Sequence, residues 1–245
     1  MRGAHVRSLA ASQHGSVDFC LIQAHLVSRG GLLSALQLQT LCSTFAVFRA
    51  DEVRDHGFKL ASGLAVLDDA LAGGVALGTL VEWGVPLGRG GRHIILKYLA
   101  AANRGLALKA DYPILWAYPD SALGLNPPAW QALGINLRHI AFARTNTPMH
   151  DLKAALLDPY YRLVVFDMPL GLSRDDYAFL ARQARTLQKI IFILHNQLLT
   201  DARGNAFAKL RFNCTRSQFD PAKIIVTPVR GLPPQPLVLQ LEGML

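Results

Sequence analysis

Cysteine is scarce. The chain of 245 residues carries three, Cys20, Cys42 and Cys214, odd in number and far apart. No C-x-x-C pair exists, so neither a zinc site nor a disulfide framework is suggested, and buried thiols in a reducing cytoplasm fit the spacing. Charge is sparse as well. Asp, Glu, Lys and Arg make up 17% of the chain and apolar residues 51%. That balance excludes wholesale disorder and supplies a large core. Long apolar runs are missing: Ile190 to Leu194 is strand-sized, and no run approaches the ~20 residues of a membrane-spanning helix. The N-terminus has basic residues but no continuous apolar stretch behind them, which argues against a secretory signal. Catalytic constellations are lacking too. His14 and His25 have no partner at ligand spacing, and His93, His139 and His195 each fit a strand or helix end. No Ser-His-Asp or Cys-His arrangement can be argued, and no metal or cofactor is expected.

What is present is basic and α/β in pattern. The net charge of +8 and pI near 9.7 permit binding to a polyanion, but the Lys and Arg residues are spread out, and solubility explains them equally well. Residues 1–45 read as an N-terminal arm and a helix. Within it Leu33, Leu36, Leu38 and Leu41 recur at roughly helical spacing, which suits docking on the chain's own core or on a partner. Residues 46–245 read as one core domain. After a polar connector, Phe48 to Lys59, Ser62 is expected to cap a short helix ending at Gly73-Gly74.

Thr79 to Leu96, TLVEWGVPLGRGGRHIIL, is the stretch on which the rest depends. It reads as a strand opening near Val81, a glycine-rich loop and the start of a helix. Such loops bind phosphate through backbone N–H groups and a lysine in G-x-x-x-x-G-K-[ST]. Gly90 stands at the second glycine, but Gly91 and Arg92 follow in place of Lys and Ser/Thr, and Val85 holds the first glycine's place. Gly88, Gly90 and Gly91 could still hold an anion at a helix N-terminus, with Arg92 adding charge. A turn kept only for its geometry is the plainer reading.

Beyond the loop, Ile94 to Asn103 reads as a helix with Ile95, Tyr98 and Leu99 on one side. Strands follow at Ile114 to Tyr118, Ile140 to Ala143, Arg162 to Asp167 and Ile190 to Leu194. Between them lie helices at Pro127 to Leu133, at His150 to Leu157, and from a Ser173 cap to about Arg185. Apolar strands alternating with helices predict an open twisted, mainly parallel sheet with helices on both faces, its site at the strands' carboxyl ends. Lys209 to Phe212, Lys223 to Thr227 and Leu237 to Glu242 read as added antiparallel strands near the C-terminus, the last two flanking a turn from Pro228 to Pro236. Trp83, Trp116 and Trp130 fit packing better than base stacking.

Four landmarks between Lys59 and Phe212 resemble, in order, those of RecA-type recombinases. They are the Ser62-Gly63-Leu64 to Gly78 lead into the loop, Leu163-Val164-Val165-Phe166-Asp167, Ile193-Leu194-His195-Asn196-Gln197, and Gly204-Asn205-Ala206. The resemblance implies a Walker-B-like role for Asp167, a nucleotide-sensing role for Gln197, and a DNA-binding loop closed by Gly204-Asn205-Ala206. Gln197, Arg203, Lys209 and Arg211 are its candidate DNA contacts, with a solvated loop as the alternative. The loop lysine and hydroxyl are replaced, and an ungapped reading back from Leu133-Gly134 puts Ala122 at the catalytic glutamate's place. Asp167 is therefore expected to accept hydrogen bonds from the loop, and the chain is not expected to be an ATPase.

The size, the lost groups and the segment Val47-Phe48-Arg49-Ala50-Asp51-Glu52-Val53 are similar to the ImuA family, accessory proteins of damage-induced mutagenesis. That likeness implies partnership with an inactive polymerase-like protein of the ImuB type and with an error-prone replicative-type polymerase, and contact with RecA itself. Two alternatives stay open. One is a nucleotide-binding RecA paralogue that uses Arg92 in place of the lysine. The other is a cell-division inhibitor of the SulA kind, against which the long C-terminal region and the retained Asn196-Gln197 count.

Overall fold

The structure, a computed structural model, describes residues 58–103, 113–122, 125–200 and 205–240. The N-terminal arm with Leu33, Leu36 and Leu41 lies outside the described residues, as does Arg203.

The core domain opens with β1 (Lys59–Leu60), α1 (Ala65–Ala70) and β2 (Val75–Ala76), the two strands pairing antiparallel. The cap of α1 differs from expectation. Leu64 is the N-cap residue and offers no side-chain bond, while Ser62 and Gly63 donate their N–H groups to the Asp68 carboxylate at 2.7 and 2.9 Å. A carboxylate one turn inside the helix folds back onto the entering chain, so Ser62 is buried instead of capping.

The main sheet has eight strands. β3 (Thr79–Gly84), β4 (Ile114–Tyr118), β5 (Ile140–Arg144), β6 (Leu163–Asp167), β7 (Ile190–His195), β8 (Leu210–Arg216), β9 (Lys223–Arg230) and β10 (Leu237–Gln240) lie in the order β10-β9-β8-β3-β7-β6-β4-β5. From β8 across to β5 every pairing is parallel, whereas β8–β9 and β9–β10 are antiparallel. β8 therefore corrects the sequence reading. It is the last parallel strand as well as the first of the antiparallel extension, because it begins at the strands' amino edge, pairing parallel with β3 and antiparallel with β9. The expected turn from Pro228 is also late. Pro228 sits inside β9 opposite Phe212, where the register slips, and a bulge is one of the few sheet positions that tolerate a missing N–H.

Helices cover both faces. α2 (Arg92–Asn103) lies on the face carrying Val81, Trp83, Phe192 and Phe212. Ile94, Ile95, Leu96, Tyr98 and Leu99 are all buried, so α2 is enclosed on more than the one side its spacing suggested. Trp83 packs its ring 4.7 Å from Phe212 and 5.9 Å from Phe192. Trp116 and the Trp130 of α3 (Pro127–Ala132) meet edge to face at 4.8 Å, so all three tryptophans are core residues.

On the opposite face Leu80, Val164, Ile191 and Ile193 pack with α6 (Arg174–Thr186). Ser173 caps α6 as the sequence predicts, in a reciprocal capping box with Asp176. The His150–Leu157 region is two short helices, α4 (Pro148–Asp151) and α5 (Lys153–Leu157). Their carbonyl end is closed by the fully buried Lys189, whose Nζ donates to the carbonyls of Ala155, Leu156 and Asp158.

Candidate functional site

The parallel strands end on one edge, and three of those ends define the site: Gly84 of β3, His195 of β7 and Asp167 of β6. The loop from Val85 to Gly91 is fastened on both sides. Val85 N–H donates to the His195 carbonyl (2.9 Å) and Leu87 N–H to Asn196 Oδ1 (2.7 Å), while Arg216 N–H of β8 donates to the Arg89 carbonyl (2.7 Å). Gly88 and Gly90 take φ of +73° and +74°, the left-handed region in which a side chain is strained. The guanidine of Arg216 lies over Gly90, its Nε 3.1 Å from where a Cβ would stand.

Gly91 is glycine for want of room. A Cβ there would meet Cys214 Cβ at 2.8 Å, the Cys214 carbonyl at 2.9 Å and Val85 Cγ1 at 2.9 Å. The position that the sequence pattern assigns to a phosphate-binding lysine is pressed against β8 and cannot accept any side chain without a shift. Burial pushes the Cys214 thiol far up its range, so it acts there as a small apolar group.

The next residue completes the arrangement. Arg92, first in α2, reaches past β7 to Asp167: Nη2 lies 2.8 Å and Nε 3.2 Å from Oδ1, while Nη1 donates to the Val85 carbonyl at 3.0 Å. Asp167 thus accepts from the loop, as the sequence reading expects, and the donor is the side chain at the loop's end. A planar guanidinium matches a carboxylate in this two-point geometry and carries the positive charge itself. The carboxylate is almost fully buried and the guanidinium about one quarter exposed. These residues do not fit a magnesium ion, which needs oxygen ligands: the one carboxylate is already neutralised, and no hydroxyl follows the loop. Met168, just after Asp167, holds φ of +54°, strained for a residue with a side chain, and donates its N–H to the Leu194 carbonyl.

Ungapped spacing puts Ala122 at the catalytic glutamate's place, and Asp120, two residues earlier, follows the strand end at Tyr118. Its carboxylate is held by Arg144 Nε at 2.6 Å and by Asn146 Nδ2 at 2.8 Å, both on the β5 side. A carboxylate is present, and it is paired toward the sheet's outer edge.

The candidate DNA contacts separate. Gln197 and Lys209 are exposed. Arg211 is not a surface residue: it is buried, its Nε 2.7 Å from Glu82 Oε2 and its Nη1 on the Thr200 carbonyl. His195 Nε2 stands 3.1 Å from the other Glu82 oxygen. Burial works to raise the Glu82 carboxyl, but hydrogen bonds from His195 and Arg211 outweigh it and hold the group below its ordinary value. Asn213 exchanges two bonds with the Leu199 backbone, so the first residues of the loop after β7 are strapped to β8. Sequence reasoning missed Glu82 and Asn213, and marked Asn196 only as part of a landmark. The one available signal was Glu82 itself, a lone carboxylate inside an otherwise apolar strand, TLVEWG.

Among the described residues no group of three or more His, Cys, Asp or Glu could hold a metal, and no helix is long and apolar enough to cross a membrane. No protein-family model matches the chain, and no curated protein matches it. Solved structures do match. The crystal structure of the RadB recombinase superimposes with a TM-score of 0.59 at 17% identity, covering 74% of this chain and 95% of that one. The fold is RecA-like. At that identity the likeness concerns architecture alone: a mostly parallel sheet between helical layers, with antiparallel strands added at its C-terminal side.

Proposed function

We propose that this chain is a non-catalytic RecA-like accessory protein that works by binding other proteins. The observation that carries the reading is the guanidinium of Arg92 seated on Asp167, beside a Gly91 that has no room for a side chain. Together they make the loop a fixed structural joint, because its charge is balanced and its turn is closed by β8. The more specific role rests on the sequence resemblance to the ImuA family. It is a cytoplasmic part in damage-induced translesion synthesis, paired with an ImuB-type polymerase-like protein, an error-prone replicative-type polymerase and RecA. Hydrolysis of radiolabelled ATP by the purified protein, with and without single-stranded DNA, tests the first part. The expected result is no turnover, and turnover abolished by Asp167→Ala overturns it. Co-purification with the polymerase-like protein tests the second part, and its failure at micromolar concentrations counts against the assignment.

One observation favours a second reading. Asp120 supplies a carboxylate after β4, so a nucleotide-binding paralogue would still have a carboxylate there once Arg144 released it. Saturable ATP binding lost on Arg92→Ala would support that reading.

A further inference from the structure

The β8–β9 hairpin carries a feature that the sheet does not need. Phe219, at its tip, is 98% exposed, far more than any other large apolar residue described. The turn that displays it is tied at both ends. Ser217 Oγ accepts from the N–H groups of Phe219 and Asp220, and Ser217 N–H donates to the Lys223 carbonyl. Asp220 Oδ1 accepts from Ala222 N–H at 2.9 Å, and its other oxygen pairs with Lys223 Nζ at 2.9 Å. A turn with this many internal bonds fixes the backbone beneath the ring, so little backbone freedom is lost when the ring is buried elsewhere.

Its location matters as much. β8 runs parallel to β3, so the tip leaves the sheet at the same edge as the glycine-rich loop, and Arg216 at its root is bonded to Arg89 of that loop. Lys223 is committed to Asp220. Among the described residues Arg89 and Arg216 pair with no carboxylate, so the uncommitted charge around the aromatic is positive.

We propose that this tip is a docking knob. Phe219 enters an apolar pocket on a partner protein whose rim carries carboxylates facing Arg89 and Arg216. An exposed aromatic on a braced turn, with two arginines at the root of its hairpin, has the composition of an interface hot spot. A nucleic-acid platform would instead show successive aromatics along a basic groove, and here the residue after Phe219 is an aspartate.

The inference rests on the reading that the chain binds a polymerase-like protein, which is the probe to use. Titrating the full-length chain with that protein by fluorescence anisotropy, Phe219→Ala is expected to weaken binding ~30-fold or more, and Phe219→Leu to keep most of it. Val66→Ala, another exposed apolar residue on α1, is expected to stay within about twofold. Thermal melting of all three variants should match the parent, since Phe219 supports no core. Equal affinity of the parent and Phe219→Ala overturns the knob alone. Absence of binding by the parent overturns the function proposed above and the knob with it. Two other results replace the occupant and so overturn this one, each with partner affinity unchanged: loss of self-association, which points to a second copy of the chain, or loss of affinity for a thymidine 20-mer, which points to stacking on single-stranded DNA.

Discussion

Two arginine–carboxylate pairs cross this sheet at almost the same distance, Arg211–Glu82 at 2.7 Å and Arg92–Asp167 at 2.8 Å, and they do different work. In the first, both side chains are almost wholly buried, 2% and 3% exposed, and His195 supplies a third partner. In the second, the arginine is 23% exposed and lies at the strands' carboxyl edge. Distance alone would rank them equal. Burial separates them: a charge deep in the sheet has no water to fall back on, whereas an edge charge can turn to solvent. The first pair is therefore scaffold. The second is a plug, a cation of the chain's own that closes the carboxyl edge over Asp167.

The sharpest way to break that distinction is to remove one arginine at a time. Arg211→Met leaves Glu82 inside the sheet with His195 but without its arginine, and is expected to cost about 3–5 kcal/mol in urea unfolding. Replacing the pair together, Glu82→Leu with Arg211→Met, should restore most of that loss, because two apolar groups need no partner. A small effect of the single substitution would mean that water reaches Glu82 and that the two pairs are alike.

Forcing a side chain into the loop comes next. Gly91→Lys restores the residue that phosphate loops carry, but its Cβ meets Cys214 and Val85 below 3 Å. A loss of about 1–3 kcal/mol is expected, without any gain of magnesium- or nucleotide-dependent stabilisation in a thermal shift assay. A variant stabilised by Mg·ATP would show that the loop is an adaptable site after all.

Removing the plug should matter less. Arg92→Ala strands the buried Asp167 carboxylate, for which ~1–2 kcal/mol is a fair expectation once the exposure of the guanidinium is discounted. A double-mutant cycle with Asp167→Ala, read in urea, isolates the pair. Coupling as large as that of Arg211 with Glu82 would erase the contrast between plug and scaffold.

The same contrast marks what could be read from the sequence. Parallel strands announce themselves, because Leu163-Val164-Val165-Phe166 and Ile190 to Leu194 are apolar at every position and must be covered on both faces. The α6 cap was legible as Ser173 followed by Asp176, since both halves of that exchange are local. The substitutions at Gly91 and Arg92 were legible as departures from a pattern, but their outcome was not. Arg92 meets Asp167 across 75 positions of chain, and Gly91 is tight because β8 returns alongside it. Arg211 misled for the same reason. A basic residue near a polar loop reads as surface, and only the register of β8 against β3 shows that it faces Glu82. Pro228 read as a turn because a bulge leaves no local signal.

Acid offers the gentlest test of the scaffold pair. His195 and Arg211 hold the folded Glu82 carboxyl below the value that it takes when the chain unfolds, near 4.5. A depressed carboxylate adds stability that is fully present above its unfolded value and fades as pH falls through its folded one, because the unfolded chain then binds the extra proton. Urea unfolding of the parent at pH 7, 5, 4 and 3 should therefore fall more steeply below about pH 4.5 than that of the Glu82→Leu, Arg211→Met variant, which lacks the group. Asp151 and Asp220 are depressed as well, Asp151 to about 2, but both are shared by the two proteins, so their contribution cancels in the difference. Parallel acid limbs would mean that Glu82 keeps its ordinary affinity for protons despite its two partners. Burial would then weigh as much as pairing, and the inner pair would be no firmer than the one at the edge.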